Sequence, residues 1–127
     1  MAKGTSKKKF IAWAARPAEH HYAAAESYLS LIYPATRAAA YVKKLKRAPI
    51  VTFKAKDIFR ASGLSLLGIS NKRVENDRAK IKAGQPLSPL LLVRDSANGR
   101  VIIADGYHRL CAVYGFNEDV PIPCQIV

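Results

Sequence analysis

The stretch Ile102-Ile103-Ala104-Asp105-Gly106-Tyr107-His108-Arg109-Leu110 decides how the rest of the chain is read. An apolar run ends in Asp-Gly, a turn dipeptide, and a helical pattern then begins with His108 and Arg109 in its first turn. This is strand, tight turn, helix. The first N–H groups of a helix have no intrahelical acceptor and carry the positive end of the helix dipole, so they attract anions. Cationic side chains at that end meet an unfavourable field unless an anion lies beside them. Two readings stay open. In one, the N–H groups after Asp105 and the Arg109 guanidinium hold a bound anion. In the other, Asp105 is simply an N-cap, and His108 and Arg109 are solvated or paired with local carboxylates.

Working outward, Leu90-Leu91-Leu92-Val93 reads as a buried strand behind Pro86 and Pro89. Asp95-Ser96-Ala97-Asn98-Gly99 carries hairpin chemistry, and Arg100 to Ala104 returns as the partner strand. After the turn, Tyr107, Leu110, Cys111 and Tyr114 fall at helical spacing, giving a helix from Gly106 to Gly115. Pro121 to Val127 closes the chain as a strand, placed at a sheet edge because prolines cannot donate to a ladder. Upstream, Asn71 or Lys72 to Gly84 is a charged helix with a glycine stop. It exposes Lys72, Arg73, Arg78, Lys80 and Lys82, which by charge pattern alone form a solvated face.

The first half is mainly helical. Past the break at Pro17, Tyr22, Ala25, Tyr28, Leu29 and Ile32 predict a helix from Ala18 to Tyr33; His20 and His21 lie in its first turn, where a functional reading makes them ligand contacts and the favoured one a solvated helix end. Pro34 suits the start of a second helix, Ala35 to Arg47, whose apolar face is Ala38, Tyr41, Val42 and Leu45. Lys43, Lys44, Lys46 and Arg47 crowd its last turn. Complementing the helix dipole requires fewer cations than that, and the surplus suits nucleic-acid phosphates, which bind Lys and Arg without regard to sequence. Ile50 to Phe53 is a short strand, Lys54 to Ser62 a short amphipathic helix ending at Gly63, and Leu64 to Ile69 a packed loop.

Composition bounds these assignments. With 127 residues the chain makes one domain with one core. We place a flexible basic tail at residues 1–9 and the domain at 10–127, with a helical basic region at 10–69 and a core unit at 70–127. Lys and Arg number 21 against 9 Asp and Glu, a formal charge of +12. Residues 1–60 hold 13 Lys or Arg and 3 Asp or Glu, so 13 − 3 = +10 of that charge lies in the first half. Such a balance points to a polyanion partner, DNA or RNA. Cys111 and Cys124 have neither metal-ligand nor disulfide spacing and read as buried free thiols. No apolar run approaches the roughly 20 residues of a membrane span, and no secretory segment follows the N-terminal lysines. A cytosolic location and no membrane partner are expected.

The order of helix, Gly84, Pro89, apolar strand, hairpin, strand, Asp105-Gly106-Tyr107-His108-Arg109, helix and terminal strand resembles the ParB/sulfiredoxin superfamily over residues 70–127. Lys80-Ile81, Gly84 and Pro89 to Val93 are similar to its first box. Ala104 to Leu110 are similar to its second, where ParB-like proteins carry Gly-Glu-Arg-Arg and sulfiredoxins Gly-Cys-His-Arg. The resemblance implies an α+β fold: a small mixed sheet with helices, preceded by an N-terminal helical region. It also implies that Gly106, Tyr107, His108 and Arg109 hold nucleotide phosphates, of CTP, ATP or ADP with Mg²⁺, and that Arg73 and Lys80 close over them. Tyr107 stands where sulfiredoxins have their reactive cysteine, and the final strand leaves no room for the ParB helix-turn-helix.

The expectation that follows is a nucleotide-phosphate-binding module acting with nucleic acid. One alternative is an enzyme, a nuclease or nucleotide-dependent phosphotransferase, with Asp105 as base or divalent-ion ligand and His108 as acid or base. The other is a non-catalytic basic protein that binds DNA or RNA through its first half alone.

Overall fold

The computed structural model describes residues 10–68 and 71–127. The basic tail 1–9 and Ile69 of the expected loop lie outside the described residues. In chain order the elements are α1 (Glu19–Leu29), α2 (Ala35–Arg47), β1 (Val51–Lys54), α3 (Ala55–Ser62), α4 (Lys72–Ala83), β2 (Leu90–Asp95), β3 (Arg100–Asp105), α5 (Tyr107–Phe116) and β4 (Pro121–Ile126). The fold is a small α+β one. Its four strands form one mixed sheet in the order β1-β4-β2-β3, with β2 parallel to β4 and the other neighbours antiparallel.

Helices cover both faces of the sheet. Leu90 and Leu92 of β2 join Ile103, Ile122 and Cys124 in a core shared with α3, α4 and α5. Leu91 and Val93, one residue out of step, join Ile102 and Ala104 under Tyr22, Ala25 and Leu29 of α1 and Ala38, Val42 and Leu45 of α2. Because side chains alternate across a strand, burial on both sides demands an unbroken apolar run, which is why β2 begins Leu-Leu-Leu-Val. The basic first half is therefore not an appendage. It supplies β1 and one complete helical layer.

The most buried polar group ties these layers together. Gln125 of β4 is fully buried, and its Nε2 donates to the carbonyl of Ala48 at 2.7 Å. Its Oε1 accepts from the Tyr22 hydroxyl of α1.

The terminal strand is interior, not at an edge: β4 lies between β1 and β2. Backbone polar groups alternate in direction along a strand. Val127 N donates to Leu92 O and Arg94 N to Val127 O, so Val127, and by alternation Pro121 and Pro123, face the β2 side. Pairing with β2 begins only at Cys124. The prolines thus lie before the parallel ladder starts, where no N–H is required.

Smaller departures have similar local causes. α1 stops at Leu29, where a turn returns the N–H groups of Ile32 and Tyr33 to the Leu29 carbonyl, and Tyr28 and Ile32 are left exposed. Of the loop after Gly63, Leu67 packs on the core while Leu64 and Leu66 are exposed. The Phe10–Trp13 segment adds one parallel bridge, Trp13 to Leu87.

Candidate functional site

Asp105 ends β3 and Tyr107 begins α5, leaving one residue to turn the chain. Gly106 does so at φ +111°, and a Cβ there would sit 2.7 Å from Leu90 Cγ and 2.9 Å from Arg109 Nη2. Only glycine allows this approach. Gly106 is also the N-cap of α5, and no side chain caps the helix. The N-capping alternative for Asp105 is therefore not what forms.

The Asp105 carboxylate turns sideways instead. Its Oδ2 lies 2.8 Å from His21 Nδ1 and 3.0 Å from Arg109 Nη2. These side chains are about one-seventh exposed, at 15% for His21, 16% for Asp105 and 13% for Arg109. Arg109 Nη2 also donates to the Pro89 carbonyl at 3.4 Å, and Arg109 Nε is buried without a partner among the described residues. Arg109 is thus committed within the protein. Its guanidinium holds Asp105 rather than reaching freely toward a ligand.

His21 corrects the sequence expectation of a solvated helix start. α1 crosses one face of the sheet with its first turn over the end of β3, which brings His21 to Asp105 while His20 stays exposed. Burial lowers the His21 pKa below its ordinary value, helped by the Arg109 charge and resisted by Asp105. The ring is neutral at neutral pH. With Nδ1–H donated to Asp105, Nε2 carries the lone pair.

α4 closes the opposite side. Asn71 caps it, accepting from the N–H groups of Arg73 and Val74 at 3.0 and 3.2 Å. Val74 and Ile81 then anchor the helix in the core. Arg73, Asp77 and Lys80 stand at i, i+4 and i+7, one stripe of a helix, and all three face the end of β3. The charged surface expected to be only solvated is therefore two surfaces, one of which meets the site.

Between α1, α4 and the start of α5 lies a cavity of about 400 Å³. Gly106, Tyr107, His108, Arg109, Arg73 and Lys80, all six predicted phosphate contacts, line it, as does Asp105. Asn76 and Asp77 join them without having been expected from the sequence, as do His20 and His21, for which the sequence favours a solvated helix end over ligand contact. The i+4 spacing from Arg73 could have found Asp77; nothing local to the sequence announces His21. Burial raises the Asp77 pKa, against the pull of Arg109, Lys80 and His108. Burial also lowers that of His108, aided by the Arg73 charge. Tyr107 aims its hydroxyl away, donating it to the Ser65 carbonyl.

Other groups are elsewhere. Lys43, Lys44, Lys46 and Arg47 lie on α2, which contributes no cavity residue. Lys46 is paired with Glu19 at 2.7 Å, whereas Lys43, Lys44 and Arg47 are exposed and have no carboxylate partner among the described residues. Both cysteines are buried and unpaired. Burial raises the Cys111 pKa and lifts that of Cys124 to about 12, so neither offers a thiolate nucleophile at neutral pH. A wider depression of about 580 Å³ lies beside α3, between Lys56, Phe59, Leu66 and Tyr114. Its cations are already matched, Lys56 with Asp119 and Arg60 with Asp57.

Asp105 is paired twice, Asp77 stands alone, and among the described residues no three His, Cys, Asp or Glu side chains are grouped to hold an ion. No protein-family model, curated protein or solved structure matches this chain.

Proposed function

We propose that this protein binds a nucleotide by its phosphates in the cavity at the end of β3. One observation carries the reading: the uncapped N-terminus of α5 and the cations Arg73 and Lys80 of α4 converge on one concave space. Free N–H groups and a helix dipole suit a phosphate, and Arg73 and Lys80 supply charge from the far wall. Asp105 opposes an anion less than its charge suggests, because Arg109 and His21 already engage it. About 400 Å³ is within the range of small-ligand sites. The resemblance of residues 70–127 to the ParB/sulfiredoxin superfamily supports a nucleotide over a simpler phosphate, with Mg²⁺ arriving on the nucleotide rather than held beforehand.

Calorimetry with CTP, ATP and ADP, each with and without Mg²⁺, tests this on wild type and on Arg73→Ala/Lys80→Ala. Both residues are exposed, so the double variant keeps the fold. It is expected to bind at least 10-fold more weakly, as when two charge-assisted hydrogen bonds of about 1 kcal/mol or more each are removed. Equal affinity in the two proteins, or no binding to wild type, would overturn the reading.

Lys43, Lys44 and Arg47 support a nucleic-acid partner on a separate surface. Removing these three is expected to flatten the dependence of DNA or RNA affinity on salt, by about one unit of log-log slope for each phosphate that is no longer neutralised. An unchanged slope would place the nucleic acid on another surface.

A further inference from the structure

We propose that His21 is a general base for the attack of water on a nucleotide phosphoanhydride in this cavity, with Asp105 as its positioning residue. The inference rests on the binding reading above and assigns the site a reaction. Its basis is geometric. Asp105 Oδ2 takes His21 Nδ1–H at 2.8 Å, which fixes the tautomer and the ring plane. Nε2 makes no hydrogen bond among the described residues, and His21 lines the cavity together with the first residues of α5. A base lining the proposed phosphate site, with its other ring nitrogen held by a carboxylate, is the arrangement that proton removal from a nucleophile requires.

The balance of the step is simple. Nε2 takes a proton from water as the water oxygen bonds to the terminal phosphorus. The bridging P–O bond breaks with its electron pair on the departing nucleoside diphosphate. That anion is weakly basic and needs no proton from the protein. The imidazolium gains its countercharge from Asp105 and returns the proton to solvent. Before the step, burial of the ring and then the Arg109 charge favour the neutral imidazole. His20 on α1, His108 and Arg109 on α5, and Arg73, Asp77 and Lys80 on α4 are the other ionisable groups facing this space.

The test separates the base from its tether. His21→Asn puts an amide N–H where Nδ1–H stood, so it preserves the link to Asp105 but cannot accept a proton. Binding of ATP and CTP is measured by calorimetry, and release of inorganic phosphate under single-turnover conditions from about pH 5 to about pH 9. Wild type is expected to release phosphate at a rate that rises with pH to a plateau, the midpoint lying below the usual histidine value because His21 is desolvated. His21→Asn is expected to bind within about 3-fold of wild type yet turn over at least 100-fold more slowly. Added imidazole should restore part of the rate of His21→Ala, which a merely structural role would not permit. The inference fails if His21→Asn keeps its rate, or if wild type binds nucleotide without releasing phosphate. Absence of binding refutes the reading of the site and this inference together.

Discussion

Replacing Gly106 by alanine tests how the turn builds the site. Two costs can be worked from the structure. The backbone sits at φ +111°, where an L side chain is strained by about 1–3 kcal/mol. The new Cβ would also lie 2.7 Å from Leu90 Cγ. Leu90 is fully buried on the central strand β2 and cannot retreat, so overpacking adds about 1–3 kcal/mol. A total loss of about 2–6 kcal/mol corresponds, in a domain of this size, to a fall in Tm on the order of 6–30 °C. Gly84→Ala is the control. Gly84 also has positive φ, at +73°, but a Cβ there has nothing within 4 Å, so that variant bears only the backbone strain, about 1 kcal/mol. Urea unfolding followed by Trp13, the one tryptophan and partly buried against the core, measures both. Gly106→Ala should lose at least about 1 kcal/mol more than Gly84→Ala, seen as a lower midpoint at unchanged m-value. Equal losses would refute the claim that close approach to Leu90, rather than backbone conformation alone, selects glycine.

Two further outcomes follow from buried polar groups. Tyr22→Phe removes the donor to Gln125 Oε1 and leaves that fully buried acceptor without its partner, so stability should drop by about 1–3 kcal/mol; a loss below about 0.5 kcal/mol would mean another donor replaces it. His21 and His108 both have folded-state pKa values below the ordinary 6.5. The unfolded chain then binds more protons between the lowered values and 6.5, so stability is full above that window and is lost as pH falls through it. Unfolding free energy measured from neutral pH downward should therefore decrease below about 6.5, and the decrease should shrink in His21→Asn/His108→Asn. Asp77, with its pKa raised above 3.8, acts in the opposite sense at lower pH; an equal pH slope in wild type and double variant would remove the histidines as its cause.

What the sequence disclosed and what it hid divide along the distance over which each feature is encoded. Asp105-Gly106 followed by a helical pattern announces its turn because the constraint lies in adjacent residues: one must adopt positive φ, and glycine is there. The apolar spacing of α2 and the Asn71 and Gly84 ends of α4 are legible for the same reason. The prolines of β4 mislead because they report only a missing N–H, not whether a neighbour needs one; the answer lies in its register with β2, which starts at Cys124. The site divides in the same way. The walls formed by α4 and the β3–α5 turn lie within two short segments, at Arg73 to Lys80 and Asp105 to Arg109, whose spacing is visible locally. The His21–Asp105 pair joins residues 105 − 21 = 84 positions apart, and depends on α1 crossing the sheet so that its first turn overhangs β3. His20-His21 looks solvated at a helix start because nothing within one turn could bury it; only Tyr22, Ala25 and Leu29 pressing against Ile102 and Ala104 draw His21 inward. The same packing that buries α1 therefore sets His21 against Asp105, so a substitution such as Ala25→Gly, one turn further along the same buried face of α1, should disturb the His21–Asp105 pair without touching the cavity.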